Sequence, residues 1–211
     1  MRSLILEKLA NSVATLQKVM ADEVLLSTLA DAAAATGKAM LAGRKLMVAG
    51  NGGSAADSQH LVAEFVSRLT VDRPAMRAVA LTTDSSILTA VGNDYSYDNV
   101  FERQIEALGQ AGDVFLGIST SGNSKNVLKA LDLSRKLGIT TIGFSGSGGG
   151  KMPTLCDYNI IVPSRITVNI QESHLALEHI YCHLVEIEYF GAEFFYKTTS
   201  TASPIVATAS H

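Results

Sequence analysis

Residues 45–65 read KLMVAGNGGSAADSQHLVAEF, and the way this stretch folds decides the architecture of the chain. The first six residues are a short apolar run closed by glycine, which suits a buried strand. GNGGS (50–54) is a glycine-rich turn, and residues 54–69 follow as a largely apolar helix. A strand that turns through glycines straight into a helix is the opening of a parallel β–α unit. The same grammar recurs downstream: AVALTT (78–83), DVFLGIST (113–120), TTIGFSG (140–146) and YNIIVP (158–163) read as strands. Between them lie a helix capped by Asp84 or Ser85 and stopped at Gly92, a second over 98–108, and a third over 121–138 with its cap at Ser121 and its end at Gly138. A long final helix covers about 168–190. Upstream, Leu4, Leu9, Val13, Leu16 and Met20 recur at helical spacing, so residues 3–42 are expected to form two helices broken near Asp22 and Glu23.

Strand and helix alternate from 45 to 163. That alternation implies an α/β fold, a doubly wound, mostly parallel five-stranded sheet flanked by helices, with the N-terminal helices added to it. Residues 1–191 are expected to form one domain. The segment 192–211, which ends in the Ser/Thr/Ala-rich KTTSTASPIVATASH, is expected to be a flexible tail.

Composition narrows the function. Of 211 residues, 47% are hydrophobic and 18% charged, a packed globular balance. The net charge of −3 and the lack of any Lys/Arg block argue against a nucleic-acid partner. No apolar run approaches the roughly 18–20 residues of a membrane span, so no membrane partner is expected. MRSLILEKLANS at the N-terminus scatters its charge and reads as a mature helix rather than a signal peptide. Cys156 and Cys182 lie far apart without metal-ligand spacing, and two reduced thiols fit a cytoplasmic protein.

Two loops carry anion chemistry. In GNGGS the glycines bring backbone N–H groups close to a ligand at a helix N-terminus. Gly50, Gly52 and Ala55 match a loose dinucleotide pattern, yet such a site wants an acidic residue about 20 positions on, after the second strand, and Asp84, which follows that strand, lies 34 residues beyond Gly50. In STSGNS (119–124), Ser119, Thr120, Ser121 and Ser124 place four hydroxyls at a helix start with no carboxylate among them. A single hydroxyl would suffice for a cap; four suit a phosphate. Both loops leave the C-terminal ends of strands, where open α/β sheets bind ligands. A phosphorylated small molecule follows as the expected ligand.

Behind the first loop, His60 and Glu64 sit one helical turn apart on an apolar helix. A pair there serves as metal ligands, or as a base with its partner. The last helix offers Gln171, Glu172, His174, Glu178, His179 and His183. Spacing favours His179 with His183 as a second metal pair and does not choose between them.

GNGGSAADSQHLVAEF, VGNDY, GDVFLGISTSGNS and IQESHLALEHI together resemble the phosphoheptose isomerases, the sedoheptulose 7-phosphate isomerase family of sugar isomerase (SIS) domain proteins. The resemblance spans about residues 1–191. It implies that Asn51, Gly52 and Gly53 contact substrate, that Asn93 and Asp94 touch the sugar, and that Ser119, Thr120, Ser121 and Ser124 hold the phosphate. It implies one zinc ion per subunit on His60, Glu64, Gln171 and His179, with Glu64 and Gln171 also touching substrate. It selects His179 over His183, which is left to packing or the surface. The implied reaction converts sedoheptulose 7-phosphate to D-glycero-D-manno-heptose 7-phosphate through an enediol. Glu64 and His179 are the acid–base pair, and the product feeds nucleotide-activated heptose and lipopolysaccharide synthesis. A homotetramer is also implied. The rival reading within the same domain family is a non-catalytic regulator that binds the replication initiator protein; such a protein would lack the metal and base residues, which are all present here.

Overall fold

The computed structural model describes residues 1–194. Two helices of 19 residues each, α1 (Arg2–Met20) and α2 (Glu23–Leu41), precede β1 (Leu46–Gly50) and α3 (Gly53–Val66). There follow β2 (Ala78–Ala80), α4 (Ser85–Asp94), a 3₁₀ turn at Tyr97–Asn99, and α5 (Glu102–Leu108). Then come β3 (Val114–Ser119), α6 (Lys125–Lys136), β4 (Thr140–Ser145), a second 3₁₀ turn at Met152–Thr154, β5 (Tyr158–Ile161) and α7 (Thr167–Phe190).

The five strands form one sheet in the order β2-β1-β3-β4-β5, and every neighbouring pair is parallel. Burial on both faces explains the continuous apolar runs. β1 is buried along its full length, with Leu46 and Val48 in one core and Met47 and Ala49 in the other. The first core joins the sheet to α2, α3 and α7 through Leu29, Ala33, Leu61, Phe65, Leu177, Tyr181 and Val185. The second packs α5 and α6 on the opposite face through Ile105, Val127, Ala130 and Leu131. The chain leaves β1 and β3 toward opposite faces. Their C-terminal ends, paired side by side at Gly50 and Ile118, therefore flank a crevice at the topological switch point.

The break between the first two helices falls where expected: Asp22 caps α2 by accepting the Leu25 N–H at 3.0 Å. Asp84 caps α4 through the Ile87 N–H. That helix runs through Gly92 to Asp94, since a glycine inside a helix costs only about 1 kcal/mol and does not stop it. The helix expected over 98–108 is split, and α5 begins at Glu102 after the 3₁₀ turn. α6 begins at Lys125 rather than Ser121, with Ser124 at the cap position. Gly122 adopts φ +65° there, and a Cβ on it would collide with the Gly149 carbonyl, so the serines form a loop instead of a first turn. α2 is long and apolar enough by length and composition to cross a membrane, which departs from the reading of the sequence. In the fold its Leu25, Leu29, Ala32, Ala33 and Met40 belong to the core. Of the expected tail, residues 192–194 are described, with Phe194 stacked on Phe190, and 195–211 lie outside the described residues.

Candidate active site

α3 starts directly after β1, so its first turns stand at the crevice. The last helix crosses this side of the sheet and packs on α3 by way of Phe65 and Tyr181, whose rings meet edge to face. That packing brings His60 and Glu64 of α3 against His179 of α7. The ligating atoms of these three residues all lie within 4.8 Å of one another. His60 Nε2 sits 2.8 Å from His179 Nε2 and 3.6 Å from the Glu64 carboxylate. The Glu64 side chain is 17% exposed and that of His60 42%, so the base candidate is the more enclosed. Two imidazoles and a carboxylate converging from two rigid helices form a borderline N/O donor set, which fits a zinc-type ion. Nitrogens on a tetrahedral ion with bonds of about 2.0–2.1 Å stand about 3.3 Å apart, so the rings need only open slightly to receive one.

Gln171 lies about two turns before His179 on α7. Its amide nitrogen donates to both oxygens of Asp57, at 3.2 and 3.1 Å. It packs so closely on the first turn of α3 that a Cβ at position 53 would overlap its amide, which makes Gly53 necessary for that approach. Asp57 is a functional candidate that the sequence reading missed. Its signal is spacing: Asp57, His60 and Glu64 fall on one stripe of α3. Burial raises the Asp57 carboxyl above its ordinary value, while the Gln171 hydrogen bond and His60 act in the opposite direction. Nearby on α7, Glu178 is fully buried with no hydrogen-bond partner on either oxygen. Burial, helped by the Asp57 charge, pushes its carboxyl up to about 8.

The two predicted loops are joined to each other. Asn51 exchanges two hydrogen bonds with Asn126 in the first turn of α6, at 2.9 and 2.8 Å, and accepts a third from the Tyr97 hydroxyl. Neither Asn126 nor Tyr97 was found from sequence, because each is distant from Asn51 along the chain. In the serine loop, Ser119 Oγ lies 2.8 Å from Ser124 Oγ and 3.5 Å from Ser121 Oγ, so three hydroxyls cluster. Thr120 and Ser121 line an adjoining cleft of about 190 Å³. Gly52 lies at the turn into α3.

Asn93 and Asp94 precede Tyr97 by four and three residues. They end α4, are exposed, and hydrogen-bond to each other at 2.8 Å. Among the other histidines of the last helix, His183 is half-buried. His174 is a core residue: its Nε2 donates to the Ser145 carbonyl at 3.1 Å, and burial lowers its pKa to about 4.

Residues 8–146 match the SIS domain family. Phosphoheptose isomerase 2 of Campylobacter jejuni is 53% identical over 188 residues, covering 89% of this chain and 94% of that protein. The phosphoheptose isomerase of Aneurinibacillus thermoaerophilus is 49% identical over 194 residues, covering 92% and 98%. Among solved structures, phosphoheptose isomerase GmhA from Neisseria gonorrhoeae superposes with a TM-score of 0.82 at 38% identity, covering 88% of this chain and 98% of that one.

Proposed function

The chain belongs to the phosphoheptose isomerase family of SIS-domain proteins, and we propose that it interconverts sedoheptulose 7-phosphate and D-glycero-D-manno-heptose 7-phosphate at the crevice between β1 and β3. The observation that carries this reading is the convergence of His60, Glu64 and His179 at the sheet edge that also presents the serine loop.

Aldose–ketose isomerisation needs a base beside the carbonyl carbon and an acid to return the proton to its neighbour. Glu64, enclosed on the α3 face, takes the proton from the hydroxyl-bearing carbon, and a cis-enediol forms. His179, where its ring nitrogen is not committed to a metal, exchanges the proton on the oxygens while electrons shift between C1 and C2. Glu64 then delivers its proton to the other carbon. Asn51, fixed by Asn126 and Tyr97, and the N–H groups of Gly52 and Gly53 orient the sugar. Ser119, Thr120, Ser121 and Ser124 hold the phosphate, so binding energy far from the chemistry aligns the reacting carbons. Asn93 and Asp94, carried over from the family's sugar-contacting motif, contact the sugar. The residues that would hold zinc are His60, Glu64 and His179, with Gln171 as the fourth donor; when bound, the ion polarises the carbonyl and stabilises enediolate charge.

The wider assignment follows the same reading. The protein works in the cytoplasm on a small sugar phosphate, supplies heptose precursors, and binds neither nucleic acid nor membrane. It self-associates as a homotetramer through α1, where Leu4, Ile5, Leu6, Leu9 and Val13 are 53–59% exposed.

The test is incubation with sedoheptulose 7-phosphate, with and without a chelator, while following aldose formation. We expect turnover that the chelator removes and zinc restores. Glu64→Gln is expected to lower kcat by about a thousandfold with the fold intact by circular dichroism. Wild-type turnover in the Glu64→Gln protein would remove Glu64 as the base.

A further inference from the structure

The cleft of about 190 Å³ beside the serine loop is lined by Thr120, Ser121, Ser147, Ser164, Arg165 and Thr167. Three strand ends contribute to it: Thr120 and Ser121 follow β3, Ser147 follows β4, and Ser164 and Arg165 follow β5. Apart from Arg165, its polar lining consists of hydroxyls, and no carboxylate faces it. Arg165 is exposed and, among the described residues, makes no ion pair or hydrogen bond. The first turn of α7, beginning at Thr167, also borders the cleft and has no side-chain cap on its N–H groups.

A phosphomonoester carries about −1.5 to −2 charges at neutral pH, and the hydroxyls of the serine loop are neutral. Lys125, at the start of α6, is already directed to Asp98 at 3.7 Å. The one cation lining the cleft is therefore an uncommitted guanidinium, whose planar fork matches phosphate oxygens better than a point charge does. We propose that Arg165 is a phosphate-binding residue of the isomerase site: with Ser164 and Thr167 it closes the side of the phosphate cradle that Thr120 and Ser121 leave open. This rests on the isomerase reading for its substrate, and the anion chemistry stands independently of it.

Arg165 and Ser164 also border a second cleft, of about 270 Å³, that Lys18 of α1 lines. A free anion bound there is the competing source of the same chemistry. The experiment uses the full chain carrying Arg165→Met, Arg165→Lys or Lys18→Met. Inorganic phosphate is titrated calorimetrically, and KM and kcat are measured with sedoheptulose 7-phosphate. Arg165→Met is expected to weaken phosphate binding and raise KM about tenfold each, about 1.4 kcal/mol, with kcat within about twofold. Arg165→Lys is expected to recover part of both, and Lys18→Met to change neither. Phosphate affinity and KM both unmoved in Arg165→Met would overturn the proposal. So would a loss of phosphate binding in Lys18→Met with KM constant, which puts the anion in the second cleft. A chain that binds phosphate through Arg165 yet does not isomerise the sugar would remove the isomerase reading and leave Arg165 as an anion ligand.

Discussion

Arg73 and Glu186 form a fully buried ion pair, Nε to Oε1 at 2.6 Å, with both side chains 0% exposed. The guanidinium also donates to the carbonyls of Phe65 at 2.7 Å, Pro74 at 3.1 Å and Glu64 at 2.6 Å. Those carbonyls include two at the C-terminal end of α3 that no intrahelical N–H can satisfy. Glu186 stands on α7 two turns beyond His179. The pair therefore ties together the two helices that carry the metal and base candidates. Replacing Arg73 by Met leaves a buried carboxylate without its partner, a loss of about 3–5 kcal/mol, and takes the guanidinium from the Glu64 and Pro74 carbonyls, while that of Phe65 keeps the Met76 N–H. At about 2–4 °C per kcal/mol for a chain of this size, Tm should fall by about 6–20 °C. Glu186→Gln keeps an acceptor for Nε and leaves every carbonyl bond in place, so it should cost less, about 1–3 kcal/mol. In Arg73→Met/Glu186→Met no unpaired charge remains, yet the Glu64 and Pro74 carbonyls still lack the guanidinium. The double variant should recover part of the single loss, with a coupling energy of about 2 kcal/mol. Urea unfolding of wild type, Arg73→Met, Glu186→Met and the double variant at one protein concentration, metal-free, closes the cycle, with Glu186→Gln measured beside it. Additive single effects, or a Glu186→Gln loss equal to that of Arg73→Met, would refute this account of the clamp.

Gly53→Ala drives a methyl into the Gln171 amide and breaks its bonds to Asp57; zinc affinity should fall by about 10–100-fold in a metal titration, since supports of this kind act on ligand geometry. His174 is held neutral, its pKa lowered by burial from 6.5 to about 4. In the pH window from 6.5 down to about 4 the unfolded chain binds a proton there that the native chain does not, so stability falls as pH drops through that range. His174→Gln, whose amide can still donate to Ser145, should remove about 2 kcal/mol of the stability difference between about pH 7 and pH 4.5, read from urea midpoints. Asp22→Ala removes the α2 cap and should cost about 1 kcal/mol, measured the same way, with isomerase activity retained.

Residues whose partners are local in the chain were legible from sequence. The strand–glycine–helix stretch at 45–65 announces a β–α unit because strand burial, turn flexibility and helical periodicity are each written within a few residues. The four hydroxyls at 119–124 likewise mark a polar loop at a strand end, Asp22 and Glu23 mark a break between helices, and Asp84 marks a helix start. His60 and Glu64 share a face by periodicity alone. Helix starts and stops were less secure: the serine loop delays α6 to Lys125 because Gly149 crowds Gly122, a contact between distant segments.

By itself, then, the chain determined an alternating parallel architecture, a glycine-rich and a serine-rich turn at strand ends, and a His/Glu pair on one helix face. Only tertiary structure decided the strand order that sets β1 beside β3; among the histidines of the last helix, spacing left His179 and His183 open, the family resemblance picked His179, and the packing puts it beside His60 and Glu64. Periodicity says which side chains share a face of α7; which face meets α3 is set by the packing of Phe65 on Tyr181 and by the Arg73–Glu186 clamp. That packing turns His179 to the metal candidates, His174 into the core, and Gln171 onto Asp57. Asp57, Asn126, Arg73 and Arg165 share one reason for escaping a linear reading: each takes its meaning from a neighbour that folding, rather than chain proximity, brings to it.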